Sequence, residues 1–187
     1  IEVKPDPAAQ GYVATVKTQS GPGEAKDYAI EVRSRDGKST QKITGAFQTA
    51  VWDVRWYRWD QPRKLAYDDA AGWKQLFEAR PIDQQTTREL SAKLWAKGTP
   101  QGVPRNNFAL VGTTRVKLTG GRYRISTLSD DGLRVFLDGQ EVISRWNHHG
   151  PTPDRFEVEI SAGVHQWTVH YCQEDGASAL VFNWQKH

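Results

Sequence analysis

Two adjacent acidic residues, Asp130 and Asp131, are the side chains of this sequence best placed to do chemistry together. In a chain of trans peptide bonds, neighbouring side chains point to opposite sides of an extended strand. A cis bond between the two aspartates would bring both carboxylates to one side, where their like charges would require a cation. Calcium suits such a pair, because it takes about 6–8 oxygen ligands from carboxylates, backbone carbonyls and water. Spacing alone favours a plainer alternative, a turn at Asp131 and Gly132 that Asp130 caps.

Established catalytic motifs are absent from the sequence. There is no nucleophile-elbow serine, no HEXXH zinc motif, no phosphate-binding glycine loop and no Cys/His spacing typical of zinc sites. A glycosidase would need two carboxylates about 5–9.5 Å apart across a cleft, and adjacent aspartates lie too close together for that role. We therefore expect a non-catalytic binding module rather than an enzyme.

The composition excludes several classes of function. The chain of 187 residues is 37% hydrophobic and has no apolar run of about 20 residues, so we expect no membrane insertion. Its 25 Lys and Arg residues only slightly outnumber its 22 Asp and Glu residues and form no basic stripe, which argues against nucleic acid as a partner. The single cysteine, Cys172, cannot form an internal disulfide and is expected to be a small buried hydrophobic residue.

Short alternations of apolar and polar residues, separated by turn residues, predict an all-β protein, either an antiparallel β-sandwich or a barrel. Residues 1–48 are predicted to form an N-terminal β extension that precedes the main domain at 49–187. The chain contains no Met and no leader sequence, which leads us to expect a module of a longer chain with other domains. His170, on a late strand, is expected on the solvent face.

A tryptophan-rich segment opens the main domain. Trp52, Val54 and Trp56 alternate along one strand and are expected to face the core together. Trp59 falls out of phase with them, and we expect it to be partly exposed.

One or two short helices are predicted within residues 67–97. Asp68 or Asp69 is placed to cap a helix that continues through Phe77. Residues 87–95 are expected to add one or two helical turns.

The later part of the chain resembles a known family. The resemblance is carried by an ordered series of motifs: 102–108 (GVPRNNF), 121–125 (GRYRI), 129–135 (SDDGLRV), 137–143 (LDGQEVI), Trp146, 162–165 (AGVH), 171–177 (YCQEDGA) and Trp184. Together they resemble the PA14 domain, named after the anthrax protective antigen, over about residues 50–187. The resemblance implies a β-sandwich of a type found in secreted enzymes, toxins and adhesins.

The resemblance also implies a calcium site. In sugar-binding members of the family, an Asp-Asp pair with a cis bond holds Ca²⁺, and the ion chelates sugar hydroxyls. Here Asp130 and Asp131 would be that pair, and they would contact both metal and sugar. A later loop would supply the remaining oxygens from side chains or the backbone. Its candidates are Glu174, Asp175, Gly176 and Ala177.

A second loop could supply contacts to the sugar. Sugar sites combine polar atoms with a flat aromatic face. Trp146, His148 and His149 are candidates, although an aromatic residue that follows a strand more often packs inward. Arg145 is a candidate partner for a uronate or sulfate group.

These observations lead to two hypotheses. The first is a calcium-dependent, lectin-like carbohydrate-binding module of a secreted, bacterial multidomain protein, whose other domains include a polysaccharide-degrading enzyme. The alternative is a structural or protein-interaction β-sandwich domain with no sugar ligand.

Overall fold

Four strands precede residue 50 and form two two-stranded antiparallel sheets. The computed structural model describes residues 2–6, 11–15, 25–33, 36–38, 40–48, 50–90, 99–176 and 178–187. The early strands are β1 (Glu2–Asp6), β2 (Gly11–Thr15), β3 (Ala25–Arg33) and β4 (Thr40–Gln48). Strands therefore do occur in the predicted N-terminal extension, whereas its boundary as a domain stays a prediction.

The main domain contains a six-stranded and a three-stranded sheet, both antiparallel. The larger sheet has the order β10-β9-β12-β7-β5-β6 and the smaller has the order β11-β8-β13. The strands are β5 (Trp52–Arg58), β6 (Asp83–Thr87), β7 (Phe108–Leu118), β8 (Gly121–Asp130), β9 (Leu133–Leu137), β10 (Gln140–Arg145), β11 (Thr152–Ile160), β12 (Gly163–Gln173) and β13 (Ala179–Lys186). The predicted all-β sandwich is confirmed.

The main core lies between the two sheets. As predicted, Trp52, Val54 and Trp56 are buried there on one face of β5. Trp167 of the larger sheet meets Phe182 of the smaller sheet edge-on, with ring centroids 5.4 Å apart. Alternation along each strand therefore decides which side chains fill the sandwich.

A second apolar cluster covers the outer face of the larger sheet. The helix α1 (Ala70–Glu78) begins at Asp69, whose carboxylate accepts a hydrogen bond from the Gly72 amide at 2.8 Å, as the sequence predicted. Trp59 is only 1% exposed and packs against Trp73 of this helix, so the expectation that it is partly exposed was wrong. Its out-of-phase position points it into this outer cluster rather than the sandwich.

Two further expectations need correction. Residues 87–90 are not helical. Thr87 ends the edge strand β6, which pairs with β5, residues 88–90 form no regular element, and 91–98 lie outside the described residues. His170 is on the outer face as expected, but its ring is half-buried between Phe77 and Phe136.

Among the described residues, no helix combines the length and apolar character needed to cross a bilayer.

Three connections pass between the sheets at the same end of the sandwich. They are 131–132 between β8 and β9, 146–151 between β10 and β11, and 174–178 between β12 and β13. The strand register brings them together, because Asp130 pairs with Ala179 and its neighbour Ser129 pairs with Thr152. The fold thus gathers the loops that carry the predicted site residues.

Candidate functional site

Asp131 ties the three connections together. Its side chain is almost completely buried, and its two carboxylate oxygens accept hydrogen bonds from different loops. Oδ1 accepts from the His149 amide at 3.1 Å, and Oδ2 accepts from the Glu174 amide at 2.8 Å. A buried carboxylate needs such donors, and these two also satisfy backbone N–H groups that would otherwise be unpaired.

The Asp130 side chain differs from that of Asp131 in its hydrogen bonds and in its pKa. The peptide bond that joins it to Asp131 is cis, and the residue is 7% exposed. The Tyr171 hydroxyl donates to the Asp130 backbone carbonyl, but no described residue donates a hydrogen bond to the Asp130 carboxylate. Burial raises the pKa of this carboxyl, and the charges of Asp131 and Asp175 raise it further. A carboxylate without a donor beside a second carboxylate is an arrangement that a bound cation would stabilise.

Glu174 is already engaged by a cationic side chain. Lys64 forms an ion pair with Oε1, and the Tyr67 hydroxyl donates to Oε2 at 3.1 Å. The Lys64 ammonium is the main reason that the pKa of Glu174 is lowered. Sequence reasoning missed both partners, because they lie more than 100 residues earlier in the chain and no motif marks them.

The two histidines occupy distinct positions. The Nδ1 atom of His148 lies 3.0 Å from Asp131 Oδ1 and 3.6 Å from Glu174 Oε2, and its side chain is 58% exposed at the rim. His149 Nδ1 lies 2.7 Å from the Gly150 carbonyl. Since a carbonyl can only accept, Nδ1 carries the proton of this hydrogen bond, and the other ring nitrogen is Nε2. That Nε2 atom is buried and has no hydrogen-bond partner among the described residues.

Two other predicted contact residues already make contacts within the protein, one through ring packing and the other through an ion pair. The Trp146 ring packs edge-on against Trp73, with centroids 4.8 Å apart, within the outer aromatic cluster. Arg145 donates two hydrogen bonds of 2.6 Å to the Asp154 carboxylate. The Arg145 guanidinium accordingly lowers the pKa of Asp154. Any contact of these two side chains with a ligand stays a prediction.

The later loop places polar atoms beside the aspartates. Asp175 and Gly176 are exposed, and the Gln173 side-chain amide donates to the Asp175 carbonyl. Gly176 has a φ of 74°, a left-handed conformation that glycine adopts without strain. Ala177, the remaining predicted contact, lies outside the described residues.

A cation would not find a complete set of side-chain ligands. Within the described ranges, no three His, Cys, Asp or Glu side chains form a group able to hold a metal ion. The Asp130 carboxylate, which has no donor among the described residues, fits a hard cation only if backbone carbonyls and water complete the shell, which is common for calcium.

A comparison with known protein families identifies the family of this chain. The model of the PA14 domain matches residues 54–187. The chain belongs to the PA14 domain family. That assignment agrees with the resemblance seen in the sequence and covers the two-sheet sandwich together with the outer helix.

Known proteins similar to this PA14 domain have different roles. The anti-sigma-I factor RsgI3 of Acetivibrio thermocellus is 26% identical over 93 residues, which is 48% of this chain and 14% of that protein. A solved "PA14 sugar-binding domain from RTX adhesin" is 15% identical with a TM-score of 0.58, covering 74% of this chain and 90% of that one. A solved anti-sigma factor domain-containing protein is 19% identical with a TM-score of 0.55, covering 72% and 42%. The structural likenesses show a common fold, and this chain spans only a small part of the RsgI3 relative.

Proposed function

We propose that this PA14 domain is a non-catalytic carbohydrate-binding module that holds an extracellular glycan through a calcium ion at Asp130. The observation that carries the proposal is the Asp130 carboxylate, which lies beside Asp131, has a raised pKa and has no hydrogen-bond donor among the described residues. The similarity to a sugar-binding PA14 domain supports carbohydrate as the ligand class. In this proposal the domain serves a longer, exported bacterial protein, and other domains of that protein act on polysaccharide.

The proposed calcium ligands come from the aspartate pair at the end of β8 and from the loop that follows β12. Asp130 supplies the principal carboxylate. Asp131 Oδ1 accepts from the His149 amide and lies 3.0 Å from His148 Nδ1, so it can join the ion when His148 turns toward the sugar. Asp175 and the Gly176 carbonyl are candidates from the later loop. When bound, the ion supplies positive charge to which neighbouring sugar hydroxyls bind.

The other side chains act as supports and rim contacts. Glu174 is held by Lys64, so we assign it to fixing the loop rather than to coordinating the ion. His148 is the most accessible candidate for contact with the sugar, since its side chain is more than half exposed beside Asp131. Its Nδ1 atom could exchange its present carboxylate contact for a sugar hydroxyl.

A glycan array tests this proposal. The wild-type domain is applied in calcium and in chelator, beside Asp130→Asn and the control Asp68→Asn, which changes an exposed aspartate in front of α1. We expect calcium-dependent binding to a defined group of glycans by the wild type and the control, and its loss in Asp130→Asn. Absence of glycan binding in calcium, or equal binding by Asp130→Asn, would contradict the proposal.

A second candidate function is a structural or protein-docking domain without a sugar ligand. It is favoured by the completeness of the loop network, because Asp131 is satisfied by two amides and Glu174 by Lys64 without any metal. The similarity to anti-sigma factors is consistent with such a role. Under this alternative, chelator leaves the melting temperature of the wild type unchanged and the array stays empty.

A further inference from the structure

A row of side chains with an arginine at each end, and with the buried Val111 inside it, crosses the outer face of the larger sheet beside α1. The strand register aligns Arg55 of β5 with Val111 of β7, Val111 with His170 of β12, and His170 with Arg134 of β9. Adjacent strands are about 4.8 Å apart, so the backbones of the two arginines are separated by three strand spacings, about 14 Å. Arg55 lies on β5, and Arg134 lies near the start of β9 with its guanidinium over the Trp146 ring.

Aromatic rings accompany this row. The His170 ring lies between Phe77 and Phe136, with centroids 4.5 and 4.9 Å away. The guanidinium carbon of Arg134 lies 4.7 Å from the centre of the Trp146 ring. Phe136 and His170 are both half-buried, so each residue keeps some surface toward solvent.

Neighbouring carboxylates neutralise the positive charge of this row only in part. Glu141 forms an ion pair with Arg134 at 3.6 Å, and Arg134 Nε is buried with no hydrogen-bond partner among the described residues. Arg55 forms no ion pair in the described part of the chain, and the nearby Asp53 carboxylate accepts two hydrogen bonds from Gln84. Burial and the charges of Arg134 and Arg55 lower the pKa of His170 to about 4, which fits a locally positive surface.

We propose that Arg55, His170, Arg134 and Phe136 form a second binding surface for an anionic polysaccharide. The separation of the two arginines suits a polymer with a carboxylate or sulfate on more than one sugar rather than a single anion. Guanidinium groups pair with either anion by charge-assisted hydrogen bonds, and aromatic rings suit the apolar faces of sugars. The anionic ligand is thus assigned to Arg55 and Arg134, while Arg145 pairs with Asp154. Only the saccharide nature of the ligand rests on the proposed function, since the charged row is independent of Asp130.

Three dextrans of matched backbone test this surface. Retention of the whole domain is measured by affinity electrophoresis on neutral dextran, carboxymethyl dextran and dextran sulfate at low salt. We expect no retention on neutral dextran and clear retention on one or both anionic forms, which identifies the carboxylate or the sulfate as the preferred group. Absence of retention on both anionic forms would overturn the proposal.

Variants that each remove one positive charge distinguish binding at a defined site from attraction to the net charge of the domain. Arg55→Gln and Arg134→Gln should each weaken retention roughly tenfold, the loss of one charge-assisted hydrogen bond. The control Arg122→Gln removes the same charge from the smaller sheet, where Arg122 pairs with Glu157 at 2.8 Å, and should retain binding within about twofold. Equal losses in Arg122→Gln and Arg55→Gln would refute a defined surface. Arg55→Gln is decisive if Arg134→Gln unfolds, because Arg55 does not pack on Trp146.

The variant Asp130→Asn distinguishes this inference from the calcium proposal. It should retain full binding to the anionic dextran while it loses calcium-dependent glycan binding. An array without hits together with retention that depends on Arg55 would remove the calcium-site proposal and leave the basic surface. The opposite pattern would remove the basic surface alone.

Discussion

Asp131 and Glu174 are joined by a 2.8 Å hydrogen bond from the Glu174 amide to Asp131 Oδ2, although they lie 43 residues apart in the chain. The other oxygen of Asp131 accepts from the His149 amide. One buried carboxylate thereby fixes the ends of three connections, and Asp130 beside it keeps a carboxylate that no described residue satisfies. Asp131 therefore has a structural role in holding the loops, whereas Asp130 is available to a cation, and the following predictions test both roles.

Removal of the Asp131 carboxylate should destabilise the domain with or without calcium. Asp131→Ala leaves the amides of His149 and Glu174 without their acceptors, which costs about 2–4 kcal/mol in the free energy of unfolding. Urea unfolding in chelator measures this loss. Asp175→Ala, which truncates an exposed side chain, is the control and should change the stability by less than about 0.5 kcal/mol. Equal stability of the two variants would show that Asp131 does not hold the loops.

The turn after the aspartates should tolerate no side chain at Gly132. A Cβ atom there would lie 2.6 Å from the Cys172 Sγ atom and 3.3 Å from Trp146. We expect Gly132→Ala to cost about 1–3 kcal/mol by overpacking. Adding Cys172→Ala should recover part of that loss, which a double-mutant cycle measures. Gly150→Ala, with open space around the new Cβ atom, should be neutral, and additive losses in the cycle would contradict the predicted contact.

Much of the fold was predictable because the signals are local. Alternation along β5 placed Trp52, Val54 and Trp56 in the core, and the pair Asp68 and Asp69 marked the start of α1, which Asp69 caps. The position of Trp59 was mispredicted because burial on the outer face depends on a helix that folds back over the sheet. Sequence alternation identifies the two faces of a strand but not what covers each face.

The candidate site was predictable only in part. The aspartate pair and the later loop were visible as motifs, and the fold brings Asp131 to Glu174. Lys64 and Tyr67 reach Glu174 from a distant segment, so no spacing rule could connect them. Their contacts are the reason that we propose Glu174 as a support of the loop rather than as a metal ligand.

Stability should fall below neutral pH through His170. The pKa of His170 is about 4 in the folded domain against 6.5 for the free side chain. Between these values the unfolded chain binds a proton that the native state excludes, so stability decreases as the pH falls from 6.5 to 4 by up to about 3 kcal/mol. His170→Phe should flatten this part of the profile, while carboxylate contributions affect both proteins alike. Urea unfolding at several pH values measures the difference, and parallel profiles would contradict it.

The charge of Asp130 should destabilise the domain when no cation is bound. Because its pKa is raised, the ionised form is disfavoured in the folded state, and stability from this group is lost as the pH rises through that pKa. In chelator near neutral pH, Asp130→Asn should therefore melt a few degrees above the wild type. Calcium at about 100 times its Kd should then stabilise the wild type by about 2.7 kcal/mol and leave the variant unchanged. A lower melting temperature of Asp130→Asn in chelator would contradict this electrostatic account.

Calorimetric titration of calcium into the chelator-stripped domain tests the role of Asp130 most directly. We predict a saturable heat with one ion per chain for the wild type and for Asp68→Asn, and no saturable heat for Asp130→Asn. Absence of calcium binding by the wild type, or undiminished binding by Asp130→Asn, would contradict the assignment of Asp130 as the principal cation ligand.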